Sequence, residues 1–258
     1  MTAPQAYTAS LKLPAQEPLR GPEKSSTKIS TKGIKVIIFD ASILITFAMN
    51  GLLPEFKELK KIFNGKFIIT NAVKKEAIDN PLKIKRFELE ALRIKNLLDE
   101  KILELPQSIG VKESDISKIT QELLVEANSL FVGNNKEIHI IDVGEASCLG
   151  LSKILDEQNV QNIMAIDERT MRMLCEKPEN LKSLLEKKLH TKIVLKKRKA
   201  NSFVKCKIVR SAELIYIAYK KGLVRLKNGH VLDALLYAVQ FKGCSISHDE
   251  IDEIKRLR

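Results

Sequence analysis

The fold of this chain is decided at residues 34–42, which read Ile34-Lys35-Val36-Ile37-Ile38-Phe39-Asp40-Ala41-Ser42. Except for Lys35, the first six residues are apolar and mostly β-branched. Such a run is typical of a strand that is buried on both faces of a parallel sheet. The stretch therefore predicts a buried strand over residues 34–39, with Asp40 at its carboxyl end.

Similar apolar runs occur at residues 67–70, 138–141, 163–166 and 193–195. Apolar residues spaced three and four apart between these runs predict amphipathic helices over residues 87–98, 116–130 and 148–155, and another helix over 212–219. Alternating strands and helices predict an α/β fold with a mainly parallel sheet. Residues 81–131 are predicted to be a helical insertion on this frame.

Residues 1–33 contain four prolines and Ser/Thr clusters with little apolar periodicity, so we predict a flexible N-terminal tail before a folded domain over 34–258. There is no run of about 18 uncharged apolar residues and no apolar signal segment, which predicts a cytoplasmic protein with no membrane partner. The 4 cysteines contain no C-x-x-C pair, so the sequence suggests neither a zinc site nor a disulfide framework.

The chain carries 44 Lys and Arg against 32 Asp and Glu, a net charge of +12, and most of this excess lies in one segment. Residues 190–230 contain twelve Lys and Arg and a single acid, Glu213. This concentration favours a polyanionic partner, most simply RNA, although a solvated Lys-rich surface is the simpler alternative. The run Lys196-Lys197-Arg198-Lys199 is predicted to project from the sheet as a charged loop that contacts RNA phosphates. With no Trp and few aromatic residues, backbone contact is favoured over base stacking.

Four acids from distant positions follow the predicted strands: Asp40, Glu76, Glu145 and Asp167. Because the carboxyl ends of parallel strands share one edge of the sheet, we expect the four to converge there. Each also has a structural interpretation. Asp40 and Asp167 could be helix N-caps, Asp142 and Glu145 could form a capping box, and Glu76 could be an exposed helix residue.

A cluster of these acids would need a cation or protons, because two carboxylates about 4 Å apart repel by roughly 4 kcal/mol at an effective dielectric near 20. An all-oxygen ligand set without convergent His or Cys points to Mg²⁺ or Mn²⁺. Such ions polarise phosphates and generate hydroxide, which is the chemistry of a hydrolytic nuclease.

In this order, the four acids resemble the acidic quartet of PIN-domain ribonucleases. The matching segments are Ile37-Ile38-Phe39-Asp40-Ala41-Ser42, Gly144-Glu145-Ala146 and Ile166-Asp167-Glu168-Arg169-x-x-Arg172, and residues 218–224 and 243–247 are similar to the tail of prokaryotic PIN-like proteins. The resemblance extends from about residue 34 to the C-terminus. It implies a three-layer α/β/α fold, cleavage of single-stranded RNA that depends on Mg²⁺ or Mn²⁺, and frequent homodimers.

Five further residues have two interpretations each. Ser42 could hydrogen-bond a metal-bound water or cap a helix, Asp142 and Glu168 could supplement the quartet or face solvent, and Arg172, like Arg169, could hold a phosphate or pair with an acid. The sequence thus predicts a metal-dependent endoribonuclease. The alternatives are a non-catalytic PIN-like RNA-binding or scaffold protein and the toxin of a toxin–antitoxin pair, although the long segment before Glu145 and the N-terminal tail depart from compact toxins.

Overall fold

The computed structural model of the protein describes residues 33–196, 203 and 206–257. The strands are β1 Lys35–Phe39, β2 Lys66–Ile68, β3 Phe131–Gly133, β4 Lys136–Glu137, β5 Gln161–Ala165, β6 Ile193–Leu195 and β7 Ile208–Val209. The α-helices are α1 Ala41–Met49, α2 Leu53–Ile62, α3 Asn71–Lys74, α4 Glu88–Asp99, α5 Glu113–Ser129, α6 Val143–Glu157, α7 Arg169–Glu176, α8 Pro178–Leu189, α9 Ser211–Lys220, α10 Val231–Phe241 and α11 His248–Arg256. A π-helix, Lys75–Asp79, and two 3₁₀ turns, Pro81–Lys83 and Pro106–Ile109, complete the helical structure.

The main sheet has four strands in the order β2-β1-β5-β7, and all three neighbouring pairs are parallel. The predicted α/β class with a parallel sheet is therefore confirmed. β2 lies on one side of β1 and the next strand of this sheet along the chain, β5, lies on the other. This reversal of strand order opens a crevice outside the carboxyl ends of β1 and β5, where ligands of open α/β sheets bind.

The central strand β1 is covered on both faces. Val36, Ile37, Ile38 and Phe39 are all buried, and successive side chains of a strand point to opposite faces of the sheet. The Phe39 ring lies 4.9 Å from the ring of Phe56 in α2, centroid to centroid. Elsewhere α6 packs on β1 and β5, α5 packs on α6, and α9 packs on α1 and α2. This arrangement is compatible with a three-layer sandwich.

The predicted strand at residues 138–141 is wrong. The Asn128 side chain satisfies the backbone there: its Oδ1 accepts the amide hydrogens of Ile140 and Ile141 at 2.6 and 3.0 Å, and its Nδ2 donates to the Ile141 carbonyl at 3.0 Å. A side chain thus replaces the hydrogen bonds of a sheet neighbour. The parallel sheet takes its fourth strand instead from β7, which is only two residues long and was not predicted.

The other predicted elements are found with small changes of boundary, and residues 81–131 are largely helical, with α4, α5 and both 3₁₀ turns. Residues 193–195 do form a strand, but it is an edge strand of a second sheet, ordered β4-β3-β6 and antiparallel. The predicted tail, apart from Gly33, lies outside the described residues, as do Lys197, Arg198 and Lys199. No helix among the described residues is both long and apolar enough to cross a membrane.

Candidate acidic cation site

The candidate site begins where β1 and β5 end side by side. The Asp40 amide donates to the Ala165 carbonyl at 3.0 Å, which extends the ladder between the two strands by one residue. Asp167 follows two residues after Ala165 and is 1% exposed, and Asp40 is 5% exposed. Both aspartates therefore lie at the carboxyl edge of the sheet, as the sequence predicted.

Asp40 is the N-cap of α1, so its capping role is confirmed. Its Oδ2 accepts from the Ser42 amide at 3.1 Å and from the Ser42 hydroxyl at 2.6 Å. The same hydroxyl accepts from the Asp167 amide at 3.2 Å, so Ser42 links the ends of β1 and β5. Burial is the main cause of the raised pKa of Asp40, and the charge of Asp167 raises it further.

Glu145 is the buried acid on the first turn of α6. Its Oε2 accepts from the Asp142 amide at 3.0 Å, which is the capping-box bond predicted from the sequence. Its Oε1 is buried and has no hydrogen-bond partner. Burial raises the pKa of Glu145 to about 8; the Asp142 amide bond opposes this, and the nearby charges of Asp40 and Glu168 add to it. Capping therefore accounts for only half of this carboxyl group.

Glu76 reaches the same place from the π-helix, and Gly144 makes room for it. A Cβ on Gly144 would lie 2.5 Å from Oε2 of Glu76 and 3.6 Å from Oδ1 of Asp40. Residue Glu76 as a whole is exposed, but its carboxyl group is partly buried, and this burial together with the charges of Asp40 and Asp142 raises its pKa to about 7. π-helical turns frequently occur at functional sites.

Together these acids line an open cavity of about 400 Å³, which we call the acidic cavity. Its lining consists of Asp40, Ser42, Ile45, Glu76, Ile140, Asp142, Glu145 and Glu168. Asp142 accepts from His139 at 2.8 Å, and Glu168 caps α7 through Thr170. In the part of the chain that the structure describes, no Lys, Arg or His forms an ion pair with Asp40, Glu76 or Glu145. The cavity therefore brings together carboxyl groups that have no cationic partner among the described residues.

Asp167 does not line this cavity. Its Oδ1 accepts from the Ser211 amide at 2.8 Å and its Oδ2 from the Ser211 hydroxyl at 2.7 Å. Both oxygens are thus held at Ser211, the first residue of α9. The structure brings together three members of the predicted quartet and leaves the fourth as a buried neighbour whose charge reaches Asp40.

Of the weaker candidates, Ser42, Asp142 and Glu168 line the cavity, whereas the basic ones lie apart from it. Arg172 lies 3.6 Å from Glu250 of α11, which is structural pairing, and it is not among the residues that line the cavity. Lys196, the described member of the basic run, pairs with Glu137 at 3.0 Å.

The donor set suits a hard divalent cation. All the convergent side chains are carboxylates, one buried oxygen has no partner, and a glycine makes room for Glu76, which together fit Mg²⁺ or Mn²⁺. Within the described ranges, however, no three His, Cys, Asp or Glu side chains stand as a preformed metal-binding group. A cation would therefore have to draw the acids closer than they stand.

Sequence reasoning missed two residues that shape the site. In the sequence Gly144 is only part of a motif, whereas in the structure its missing side chain is what lets Glu76 approach. Ser211 holds Asp167 from 44 residues away, and no local pattern signals such a contact. Comparison with protein-family models, with curated proteins and with solved structures found no match to this chain.

Proposed function

We propose that the protein is a metal-dependent endoribonuclease of the PIN-like type, with the acidic cavity as its active site. The observation that carries this proposal is the convergence of Asp40, Glu76 and Glu145 around Gly144, with one buried Glu145 oxygen left without a partner. RNA as substrate and PIN-like as family rest on the sequence resemblance and on the basic segment.

Asp40, Glu76 and Glu145 would hold Mg²⁺ or Mn²⁺, and Asp167 would add negative charge from behind. When bound, such an ion activates water for attack on a phosphodiester and neutralises charge on the phosphate. The chain positions the ligands: Ser42 holds Oδ2 of Asp40, and the Asp142 amide holds Oε2 of Glu145. Asp40 and Glu145 thus each keep one oxygen for the ion.

The raised pKa values describe the site before the ion binds. Glu76, with a pKa of about 7, and Glu145, with a pKa of about 8, are partly protonated near neutral pH, mainly because burial disfavours the charged form of both carboxyl groups. Ligands must be deprotonated to bind a metal, so cation binding should release protons and strengthen as the pH rises.

The test combines binding with turnover. Titration calorimetry with Mn²⁺ should show a site that Asp40→Asn and Glu145→Gln each weaken strongly, and cleavage of single-stranded RNA should stop in EDTA. Loss of a charged ligand should slow cleavage by roughly 10²–10³-fold, at about 1.4 kcal/mol per decade. The matched control is Glu122→Gln, which removes an exposed acid of α5. Wild-type Mn²⁺ affinity and cleavage in both variants would refute the proposal.

One observation favours a second function, that of a non-catalytic RNA-binding protein of the same fold. No preformed three-ligand group exists among the described residues. An acidic site that has lost its catalytic activity would also lack such a group. RNA binding in EDTA, with no cleavage in Mg²⁺ or Mn²⁺, would support this second function.

A further inference from the structure

Two cavities outside the acidic cavity share one loop of the basic segment. The first, of about 730 Å³, lies between α2, α4 and Arg225 and is called here the arginine cavity. The second, of about 650 Å³, is lined by α9, α10 and the end of α11 and is called here the tyrosine cavity. Arg225 lines the first, and Gly229 and His230 line the second. A chain rises at most about 3.6 Å per residue, so Arg225 and Gly229 lie within about 14 Å of each other.

The arginine cavity has an excess of positive charge that described acids do not neutralise. Lys57 pairs with Glu100 at 2.6 Å, and Lys61 pairs with Glu58 at 2.7 Å. Arg93 and Arg225 also line it, and neither forms an ion pair with any acid in the described residues. Two exposed guanidinium groups in a groove are suited to phosphate, which they bind in a bidentate manner.

The tyrosine cavity combines aromatic rings with positive charge. Tyr216 and Tyr219 lie three residues apart on α9, and Lys220 lies with its Nζ 5.9 Å from the Tyr216 ring centroid. Tyr216 donates its hydroxyl hydrogen to the Leu257 carbonyl, which fixes its ring, whereas Tyr219 is 37% exposed. Nucleobases stack on such rings in single strands, while cationic side chains follow the backbone. This cavity supplies the stacking surface that composition alone argued against.

The two cavities lie at the far ends of helices that start at the acidic site. α1 begins beside Asp40, and Ala48 near its end lines the arginine cavity; α9 begins at Ser211, which binds Asp167, and Lys220 at its end lines the tyrosine cavity. With a rise of 1.5 Å per residue, these helices are about 13 and 15 Å long. An RNA strand that extends from the start of one of these helices to its far end therefore spans at least about four stacked nucleotides, at about 3.4 Å each.

We propose that loop 223–230 and its two flanking cavities bind single-stranded RNA, with phosphates on Arg93 and Arg225 and a base on Tyr219. This inference rests on the proposed function for its choice of RNA. It adds a binding surface that is separate from the acidic cavity, since the cavities have no lining residue in common. The surface would hold a substrate several nucleotides away from the bond that is cut.

The test measures binding of a fluorescein-labelled 20-nucleotide single-stranded RNA to the full chain in EDTA, so that cleavage cannot interfere. Arg93→Ala/Arg225→Ala should weaken binding and flatten the slope of log affinity against log salt by about 1.4, at about 0.7 per phosphate contact. Tyr219→Ala should weaken binding by about fivefold to a hundredfold, while Tyr219→Phe should bind as the wild type does. The control Lys187→Ala/Lys188→Ala removes the same charge from exposed positions of α8.

If the α8 control lost as much RNA affinity as Arg93→Ala/Arg225→Ala, the loss would be a general effect of charge and the proposal would be overturned. If Arg93→Ala/Arg225→Ala bound RNA more weakly and Tyr219→Ala did not, the surface would be a general polyanion site, for which heparin would compete as well as RNA. That outcome would also overturn the proposal. Failure of this test leaves Mn²⁺-dependent cleavage untouched, whereas failure of the catalytic proposal leaves RNA binding in EDTA intact, so the two failures are distinguishable.

Discussion

Asp40 and Asp167 are both buried aspartates beside strand ends, but their carboxyl groups have different surroundings. Asp40 uses one oxygen for Ser42, and its Oδ1 faces the position above Gly144. Asp167 uses both oxygens for Ser211. Asp40 therefore presents one carboxylate oxygen toward the cavity, whereas both carboxylate oxygens of Asp167 accept hydrogen bonds from Ser211.

This difference predicts opposite effects on stability. Asp40→Asn removes a buried charge and can still accept from Ser42, so the metal-free variant should melt at or above the wild-type temperature. Asp167→Asn would turn an amide donor toward the donors of Ser211 and should cost about 1–3 kcal/mol. Calorimetric melting in EDTA checks both; equal melting temperatures for the two variants would contradict this account.

Gly144 is the residue that most directly tests the convergence of the acids. In Gly144→Ala the new Cβ would meet Oε2 of Glu76 at 2.5 Å, and that oxygen is the end of a flexible side chain that can move aside. We expect a melting temperature within about 2 °C of the wild type, with Mn²⁺ affinity and RNA cleavage reduced at least tenfold. Unchanged Mn²⁺ affinity would show that Glu76 is not a ligand. Gly150→Ala, on the same helix and away from the cavity, is the control.

At the scale of elements, one guanidinium group ties α9 to α11 and to the loop that precedes α11. Arg210, which is 8% exposed, is the N-cap residue of α9 and forms ion pairs with Glu213 and, at 2.8 Å, with Glu250. It also donates to the Ser245 carbonyl at 3.0 Å, and the Ser245 amide donates to the Asp167 carbonyl at 3.2 Å. Arg210 therefore braces the helix end that holds Asp167.

Arg210→Ala should destabilise the protein by about 1–3 kcal/mol, because it leaves Glu213 without its ion-pair partner and the Ser245 carbonyl without its donor, whereas Glu250 keeps Arg172. For a chain of this size that corresponds to a fall in melting temperature of about 2–10 °C. Arg210→Lys keeps the charge but loses the forked geometry and should fall in between. Removing the exposed charge of Arg86 by Arg86→Ala is the control, and an equal loss there would argue against the network.

For the whole molecule, the acids of the cavity should make metal-free stability depend on pH. A carboxyl group whose folded pKa is raised binds its proton more tightly in the native state, so its stabilisation is complete below the unfolded pKa and is lost as the pH rises through the folded pKa. For Glu76 and Glu145 that window runs from about 4.5 to between 7 and 8.

In EDTA the melting temperature should therefore fall between pH 5 and pH 8, by about 5–10 °C if Glu145 gives most of the effect. Mn²⁺ should restore more stability at pH 8 than at pH 6. Glu145→Gln should flatten both dependences, and Glu122→Gln should leave them unchanged. The prediction would be contradicted if the metal-free wild type melted at a higher temperature at pH 8 than at pH 5 and Glu145→Gln showed the same rise.

The sequence by itself determined the α/β class, the central buried strand, the long helices and the positions of Asp40 and Asp167 at strand ends. These are local properties: a β-branched run, an apolar period of three to four, and a capping residue require no distant partner to be recognised. The capping box of Asp142 and Glu145 can be predicted from the sequence for the same reason.

Only the tertiary structure decided which acids meet. The Asn128 side chain forms hydrogen bonds with the backbone of residues 138–141, which are a loop and not the predicted strand. Ser211, distant in sequence, forms hydrogen bonds with the carboxylate of Asp167. It also decided that Gly144 faces Glu76 and that Tyr219 lies in a cavity reached from the loop that carries Arg225. Each of these contacts joins residues that are far apart in the chain, and their free energy depends on packing geometry that no local pattern encodes.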